Sequence, residues 1–284
     1  MKSAPHLLDY LKIHFIVVLY AFTAILGNAT QANALTIVFF RCVIAAMGLV
    51  GILYYSKSSF RISQKVLSVW LLNGVFISLH WLLFFGAAKV STVAMCLAGL
   101  STQTFWTSVM EPIAKKTKIS WEEVFLGVLV IVALGIIFSV QQAQWLGLLM
   151  GIGAGFFGAL FSVINGNFTH THDPKLITAY EMTAAGVMTG LVWAYGLLEG
   201  GVGYIPLEWD WLWIGILAVV CTVYAYTETI HLYKVFSVFS INLVITPPRV
   251  SMPRDSGVTS SSNRSCSFSD LSAPDKMAAC TVAP

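Results

Sequence analysis

Long apolar runs alternate with short polar stretches along most of this chain. Eight runs of 17 to 23 residues contain few charged positions. A helix needs roughly 20 apolar residues to cross the bilayer core, which is about 30 Å thick. The pattern therefore predicts an all-α polytopic membrane protein. The predicted spans are Leu11–Gly27, Ala34–Leu53, Val66–Ala88, Thr92–Met110, Val124–Val140, Trp145–Ile164, Leu176–Leu198 and Trp211–Ile230.

A ninth apolar run, Val235–Thr246, has only twelve residues, which is about 18 Å of helix. The sequence then becomes rich in Ser, Pro and Arg, and we expect residues 247–284 to form a disordered polar tail. The abrupt change of composition indicates a truncated or frame-shifted C-terminus that lacks the end of helix 9 and all of helix 10. The alternative is a native isoform with a polar cytoplasmic tail.

Composition agrees with the membrane class. Hydrophobic residues make up 57% of the chain and charged residues 10%, against about 25% charged in a typical soluble domain. The net charge of +3 is small and its lysines lie in loops, so no nucleic-acid partner is expected. The five cysteines show no disulfide framework, and no cysteine or histidine cluster predicts a metal or cofactor site.

Loop charges predict the orientation. With the N-terminus in the cytoplasm, ten lysines and arginines fall on the inner side and one, Lys89, on the outer side. This bias predicts a multi-pass protein of the cell (inner) membrane. We interpret Leu11–Gly27 as an uncleaved first span rather than a signal peptide, because its apolar run is long and further spans follow directly.

The chain also repeats itself. Spans two and seven read LTIVFFRCVIAAMGLV and LITAYEMTAAGVMTGLV, with Arg41 and Glu181 near matching positions. Five spans per repeat is an odd number, so the second copy must be inverted relative to the first. We predict one repeat over 11–140 and a second, incomplete one over 145–246. Inverted repeats are usual in secondary transporters, whose solute site lies near the midplane between the halves.

Four features of the sequence form a recognisable pattern. They are the stretches FFRCVIAAMGL, FFGAAKVSTVAMCLAGLSTQTFWTSVMEP and KKTKISWEEVFLGVLVIVALGIIF, and the repetition of this layout from Trp145 onward. In these features the chain resembles the EamA-type drug/metabolite transporter superfamily. The resemblance implies ten helices in two inverted repeats, a central cavity and movement of small metabolites, often export of amino acids or related solutes. The chain departs from the family in two ways: Thr102-Gln103-Thr104 stands where the family often has a proline, and the tenth helix is absent.

Ionisable residues inside predicted spans are candidates for function. Arg41 cannot be neutralised, and an arginine at mid-membrane costs at least about 2.5–3.5 kcal/mol, so it must face a cavity or a partner. We expect it to face the same space as Glu181 without necessarily touching it. A structural role, pairing with a carboxylate or with helix-end carbonyls, is the alternative.

Other polar and aromatic residues within the spans complete the predicted solute cavity. Each has a structural alternative, such as a backbone partner for His80 or a wet vestibule for Glu181. Glu181 and His80 are also candidates for proton coupling. The residues predicted to line the cavity are Arg41, His80, Gln103, Trp106, Glu181 and Tyr224.

Gly151, Gly155 and Gly158 lie along one stripe of span six. Small residues at this spacing permit close approach of helices, so we interpret the stripe as a packing surface. A secondary transporter working by alternating access, with a small molecule and the bilayer as its partners, is the leading hypothesis. A non-functional truncated product and an intramembrane enzyme are the alternatives; we expect no enzyme, because no catalytic constellation has suitable spacing.

Overall fold

A computed structural model of the chain describes residues 5–140, 142–200, 203 and 205–245, without the side chains of 137–140 and 142. These residues are largely helical and contain no β-strand. The predicted tail, 247–284, lies outside the described residues. The α-helices are α1 (Leu7–Ala29), α2 (Ala34–Tyr55), α3 (Gln64–Val90), α4 (Val93–Leu100), α5 (Gln103–Lys115), α6 (Trp121–Val140), α7 (Trp145–Phe168), α8 (Pro174–Leu198), α9 (Glu208–Ile216), α10 (Ala225–Leu232) and α11 (Val238–Ile245).

Side-chain caps explain where several helices begin. A side-chain oxygen that accepts from a free backbone N–H of the first turn stabilises a helix start. Asn33, Ser63 and Thr92 do so at the starts of α2, α3 and α4. Asp173 accepts from Lys175 N at 2.9 Å at the start of α8.

The predicted fourth span, Thr92–Met110, is two helices rather than one. The break lies at Ser101 and Thr102, whose hydroxyls donate to the carbonyls of Ala98 and Gly99 at 2.6 and 2.8 Å. Hydroxyls that bond the preceding turn compete with the backbone ladder and favour a tighter i→i−3 turn. These two side chains therefore interrupt the helix at a point that the apolar sequence pattern does not indicate.

The predicted span Trp211–Ile230 lies within a longer continuous helix, Glu208–Leu232. Its middle is π-helical between α9 and α10, over Leu217–Tyr224. The hydroxyl of Thr222 donates to Leu217 O, five residues earlier, at 2.9 Å. A π-helical turn rotates the residues after it relative to regular α-helical spacing, and it changes which side chains face inward.

The fold has the surface of a membrane protein. Five described helices are long and apolar enough to cross a bilayer: Leu7–Ala29, Ala34–Tyr55, Gln64–Val90, Trp145–Phe168 and Glu208–Leu232. Large apolar side chains such as Phe15, Leu191 and Phe125 are exposed, whereas Arg41 and Glu181 are buried. Extensive exposed apolar surface of this kind requires an apolar environment such as lipid.

Helix α3 lies at the centre of the packing, against α7 and α8, and α2 also packs against α8. Small residues allow the closest approaches. A Cβ added at Gly151 of α7 would lie 2.9 Å from Cys96 O and 3.0 Å from Gly99 Cα on α4. A Cβ at Gly155 would lie 2.7 Å from Thr102 Oγ1. The glycine stripe of α7 is therefore in contact with α4 and the turn after it.

Gly151→Ala is expected to destabilise the protein by about 1–3 kcal/mol, because the added methyl group overlaps backbone atoms that cannot rotate away. Thermal unfolding of the purified protein in neutral detergent measures the effect. Gly51→Ala on α2 is the matched control. Apart from the backbone of its own helix, no atom of the described residues lies within 4 Å of an added Cβ there, so the change should be neutral or stabilise the helix by up to about 1 kcal/mol. Equal unfolding temperatures for the two variants would contradict the close packing of α4 and α7.

Candidate functional site

A cavity of about 180 Å³ lies among helices drawn from both halves of the chain. Its walls are mostly aromatic and aliphatic, with a few polar groups. The lining residues are Val17, Tyr20, Ala21, Thr23, Arg41, His80, Trp81, Phe84, Leu97, Leu100, Gln103, Phe161, Ser162, Cys221, Tyr226, Thr229, Tyr233, Asn242 and Ile245. Mostly apolar pockets with a few placed polar groups are the usual form of small-molecule sites.

Arg41 supplies the positive charge of this cavity. Its side chain is 1% exposed, and its Nε donates to Thr222 Oγ1 at 2.6 Å. The guanidinium carbon lies 3.9 Å from the ring centroid of Trp81, a cation–π contact that partly compensates the charge. The ion pairs within the described residues do not include Arg41. The guanidinium is therefore held by a hydroxyl and an aromatic face rather than by a carboxylate.

His80 and Gln103 line the cavity beside each other. His80 Nδ1 lies 2.7 Å from Ala154 O. Because a carbonyl only accepts, Nδ1 donates in this contact and Nε2 is left as an acceptor in the neutral ring. A Cβ added at Gly158 would lie 2.6 Å from Gln103 Oε1 and 3.1 Å from His80 Nδ1. The glycine thus leaves the space that both side chains occupy.

Glu181 is fully buried in a polar cluster next to the cavity rather than in its lining. Its carboxylate accepts from Asn73 Nδ2 at 2.5 Å, from Asn165 Nδ2 at 3.3 Å and from Tyr226 Oη at 2.9 Å. Tyr226 also lines the cavity, so its phenol connects the cavity to the carboxylate. Arg41 and Glu181, which we expected to face one space, are therefore placed differently: the arginine lines the cavity and the carboxylate lies behind a tyrosine.

Two predicted cavity residues lie elsewhere. Tyr224 is 42% exposed and its ring contacts Phe15 on the outer side of α1. Tyr226, two residues further along the chain, is buried and lines the cavity instead, because residues two apart do not share a helix face. Trp106 is half-buried and its ring packs edge-on against Phe156.

Several residues at the site were not predicted from the sequence. Trp81 follows His80 directly and could have been noticed as its aromatic neighbour. Thr222 and Tyr226 lie four residues apart on the inward face of the helix Glu208–Leu232, where they contact Arg41 and Glu181. Apolar periodicity did not indicate which face of this helix points inward.

Glu111 is a further polar anchor close to the site. Its carboxylate accepts from the backbone N–H groups of Val238 at 3.1 Å and Phe239 at 2.7 Å, and it also pairs with Lys115. A carboxylate at the first turn of a helix satisfies free N–H groups and complements the helix dipole. It therefore fixes α11, which supplies Asn242 and Ile245 to the cavity.

The described residues offer little for a metal. No group of three or more His, Cys, Asp or Glu side chains among them is arranged to hold an ion. The cavity's chemistry is instead that of a single guanidinium, an imidazole and neutral hydrogen-bonding groups set in an aromatic wall. Pockets of this composition are typical of sites that bind small molecules.

Comparisons with known proteins bear on the fold alone. The chain matches no protein-family model and no curated protein. A solved structure described only as "Crystal structure of protein" is similar to it with a TM-score of 0.62 and 14% sequence identity, over 82% of each chain. Its arrangement of helices is therefore one that a solved protein also adopts.

Proposed function

We propose that this chain is a secondary transporter that exports a small metabolite across the cytoplasmic membrane by alternating access. The observation that carries the proposal is the cavity within the helix bundle, with buried Arg41 in its wall. An ionisable side chain inside a membrane-spanning bundle usually marks a solute or ion pathway. We further propose that it is of the EamA-type drug/metabolite transporter class and has two inverted repeats.

The pattern of helix contacts supports inverted repeats. A two-fold axis would exchange α1 with α7, α2 with α8, and α3 with the helix Glu208–Leu232. Contacts should then occur in matched pairs. The packing of α3 against α7 has a counterpart in the packing of α1 against Glu208–Leu232, and that of α3 against α8 has one in the packing of α2 against Glu208–Leu232. The α2–α8 contact is its own counterpart.

An ion pair near the start of α1 and a hydrogen bond just after its end, here called polar ties, support alternating access. Near its start, Lys12 Nζ lies 3.3 Å from Glu228 Oε2. Just after its end, Gln31 N donates to Asp210 Oδ1 at 2.8 Å. Both ties join the first half of the chain to the helix Glu208–Leu232, at opposite ends. Breaking one while keeping the other would open the cavity to one side of the membrane only.

Uptake into proteoliposomes tests the transport proposal. The full chain, reconstituted, is offered radiolabelled phenylacetate, phenylalanine, leucine or glucose. At least one solute should enter faster than in protein-free liposomes, with saturation and with acceleration when the liposomes are preloaded with the same unlabelled solute. Arg41→Ala should abolish this uptake, while Arg61→Ala, at an exposed arginine, should leave it unchanged. Linear uptake that preloading does not change would instead indicate a pore.

We propose that Glu181 and His80 couple transport to protons. His80 lies in the cavity wall, and Glu181 lies behind it. Uptake should then change several-fold when a pH gradient of about one unit is imposed. Glu181→Gln and His80→Gln should each reduce this dependence, since neither amide exchanges a proton near neutral pH. Flux that is the same with and without the gradient in the unmodified protein would exclude obligate coupling.

A further inference from the structure

The charge of Arg41 has no negative counterpart among the described residues. Its Nη1 is buried and makes no hydrogen bond with them, and its contacts are the Thr222 hydroxyl and the faces of Trp81 and Phe85. An uncompensated charge inside a protein is costly unless a paired charge or a set of hydrogen bonds offsets it. A guanidinium has five N–H donors in a planar fork that suits a carboxylate. Such a guanidinium in a cavity wall suits an anionic ligand.

The rest of the cavity limits what that anion can be. Of the described lining residues, none is an aspartate or a glutamate. Glu181 accepts from three donors and lies behind Tyr226. An ammonium group in the cavity would therefore lack an ionised partner, and it would lie near a guanidinium. A doubly charged phosphate would meet one arginine and otherwise apolar or neutral polar side chains.

We propose that the cavity binds a small organic monocarboxylate with an apolar body and no ammonium group. Arg41 receives the carboxylate, with Trp81 holding the guanidinium plane, and Phe84 and Phe161 pack on the apolar body. Gln103 and the His80 ring supply neutral hydrogen-bonding groups beside it. The proposal deepens the transport function and rests on it only for the statement that this bound solute is the one carried.

Binding to the purified full chain in neutral detergent tests the site without transport. Isothermal calorimetry compares phenylacetate with phenylacetamide, 2-phenylethylamine, phenylalanine and phenyl phosphate, which share the ring and differ in charge. Phenylacetate should bind saturably and about 10- to 100-fold more tightly than phenylacetamide, the range expected for hydrogen bonds to a charged group. Tighter binding of the zwitterion, the amine or the phosphate would overturn the proposal.

Variants of Arg41 test whether this side chain is the group that binds the carboxylate. Arg41→Gln should remove the preference for phenylacetate over phenylacetamide, Arg41→Lys should keep it in weaker form, and Arg61→Gln should leave it intact. Arg41→Gln should also leave the unfolding temperature of the ligand-free protein nearly unchanged, because it removes both a charge that is only partly compensated and the contacts of that charge. A marked fall, or a variant that does not fold, would show that Arg41 also stabilises the fold. The comparison of the five ligands on the unmodified protein then decides the assignment.

A bilayer lipid is the competing source of an anion. Phosphatidylglycerol added to the detergent solution should not displace phenylacetate, since its glycerophosphate headgroup and two long acyl chains are too large for a cavity of about 180 Å³. Displacement at a lipid-to-protein ratio of about one would assign the site to lipid and overturn the proposal.

Binding and flux separate this inference from the transport function. Phenylacetate that binds with the predicted charge preference but is not taken up by proteoliposomes would keep the site and refute transport. Uptake of a neutral or cationic solute, with no binding of phenylacetate, would refute the site and keep transport.

Discussion

Glu181→Leu is expected to lower the free energy of unfolding by about 3 kcal/mol. The leucine removes an acceptor that takes hydrogen bonds from Asn73, Asn165 and Tyr226 in a fully buried cluster. Each buried donor left unsatisfied costs about 1–3 kcal/mol. The two amides keep other acceptors, Phe161 O and the Tyr226 hydroxyl, so most of the loss arises at Tyr226. Reversible unfolding of the purified protein in mixed micelles measures the change.

Three matched variants separate hydrogen bonding from other causes. Glu181→Gln keeps an acceptor oxygen and should lose only about 1 kcal/mol. Glu199→Leu, an exposed glutamate just after the same helix, should stay within about 0.5 kcal/mol. In a double-mutant cycle with Tyr226→Phe, the combined loss should be smaller than the sum of the single losses. Strict additivity would mean that the phenol and the carboxylate do not depend on each other.

Glu111→Ala is expected to lower the free energy of unfolding by about 3–6 kcal/mol and to loosen α11. Its carboxylate accepts from two backbone N–H groups at the start of that helix, and hydrogen bonds to a charged group contribute about 1.5–3 kcal/mol each. Because α11 has only eight residues, it cannot remain helical on its own propensity. Hydrogen exchange should therefore become faster at Val238 and Phe239 but not in α2. Uptake should also fall, since α11 supplies part of the cavity wall.

Lys115 provides the control within the same cluster. It pairs with Glu111 from one turn away, but its side chain is about one-third exposed, and ion pairs of this kind contribute about 0–1 kcal/mol. Lys115→Ala should therefore have little effect on stability and none on the exchange of α11. If the two variants behaved alike, the ion pair rather than the backbone contacts would be the important interaction.

Helix positions were largely predictable because bilayer thickness sets the length of an apolar run. The predicted start of α2 at Ala34 and the end of α8 at Leu198 coincide with the structure, where Asn33 caps the first of these helices. The span predicted over Thr92–Met110 failed at Ser101, because hydroxyl contacts with the preceding turn interrupt a helix without changing its hydropathy. Apolar length predicts where a span lies but not whether it bends.

The site was predictable in part. A charged side chain in an apolar run needs a polar surrounding, so Arg41 and Glu181 could be identified as buried functional candidates before any fold was known. The different positions of the two residues could not be predicted, because the hydrogen-bond donors of Glu181 come from three other helices. Tyr224 was predicted to line the cavity, whereas Tyr226, on another face of the same helix, lines it. The sequence did not indicate which face points inward.

The sequence by itself determined that this is a helical membrane protein with an arginine that must be compensated within it. The hydropathy of a local stretch of sequence determines whether it enters the bilayer as a helix, so membrane spans can be predicted without the tertiary structure. Only the tertiary structure decided which groups contact Arg41. Thr222 lies far away along the chain, and Trp81 belongs to another helix, so their contacts with the guanidinium arise when the helices pack. The arginine that looked like one half of a charge pair is instead the single cation among the side chains described in the wall of an aromatic cavity.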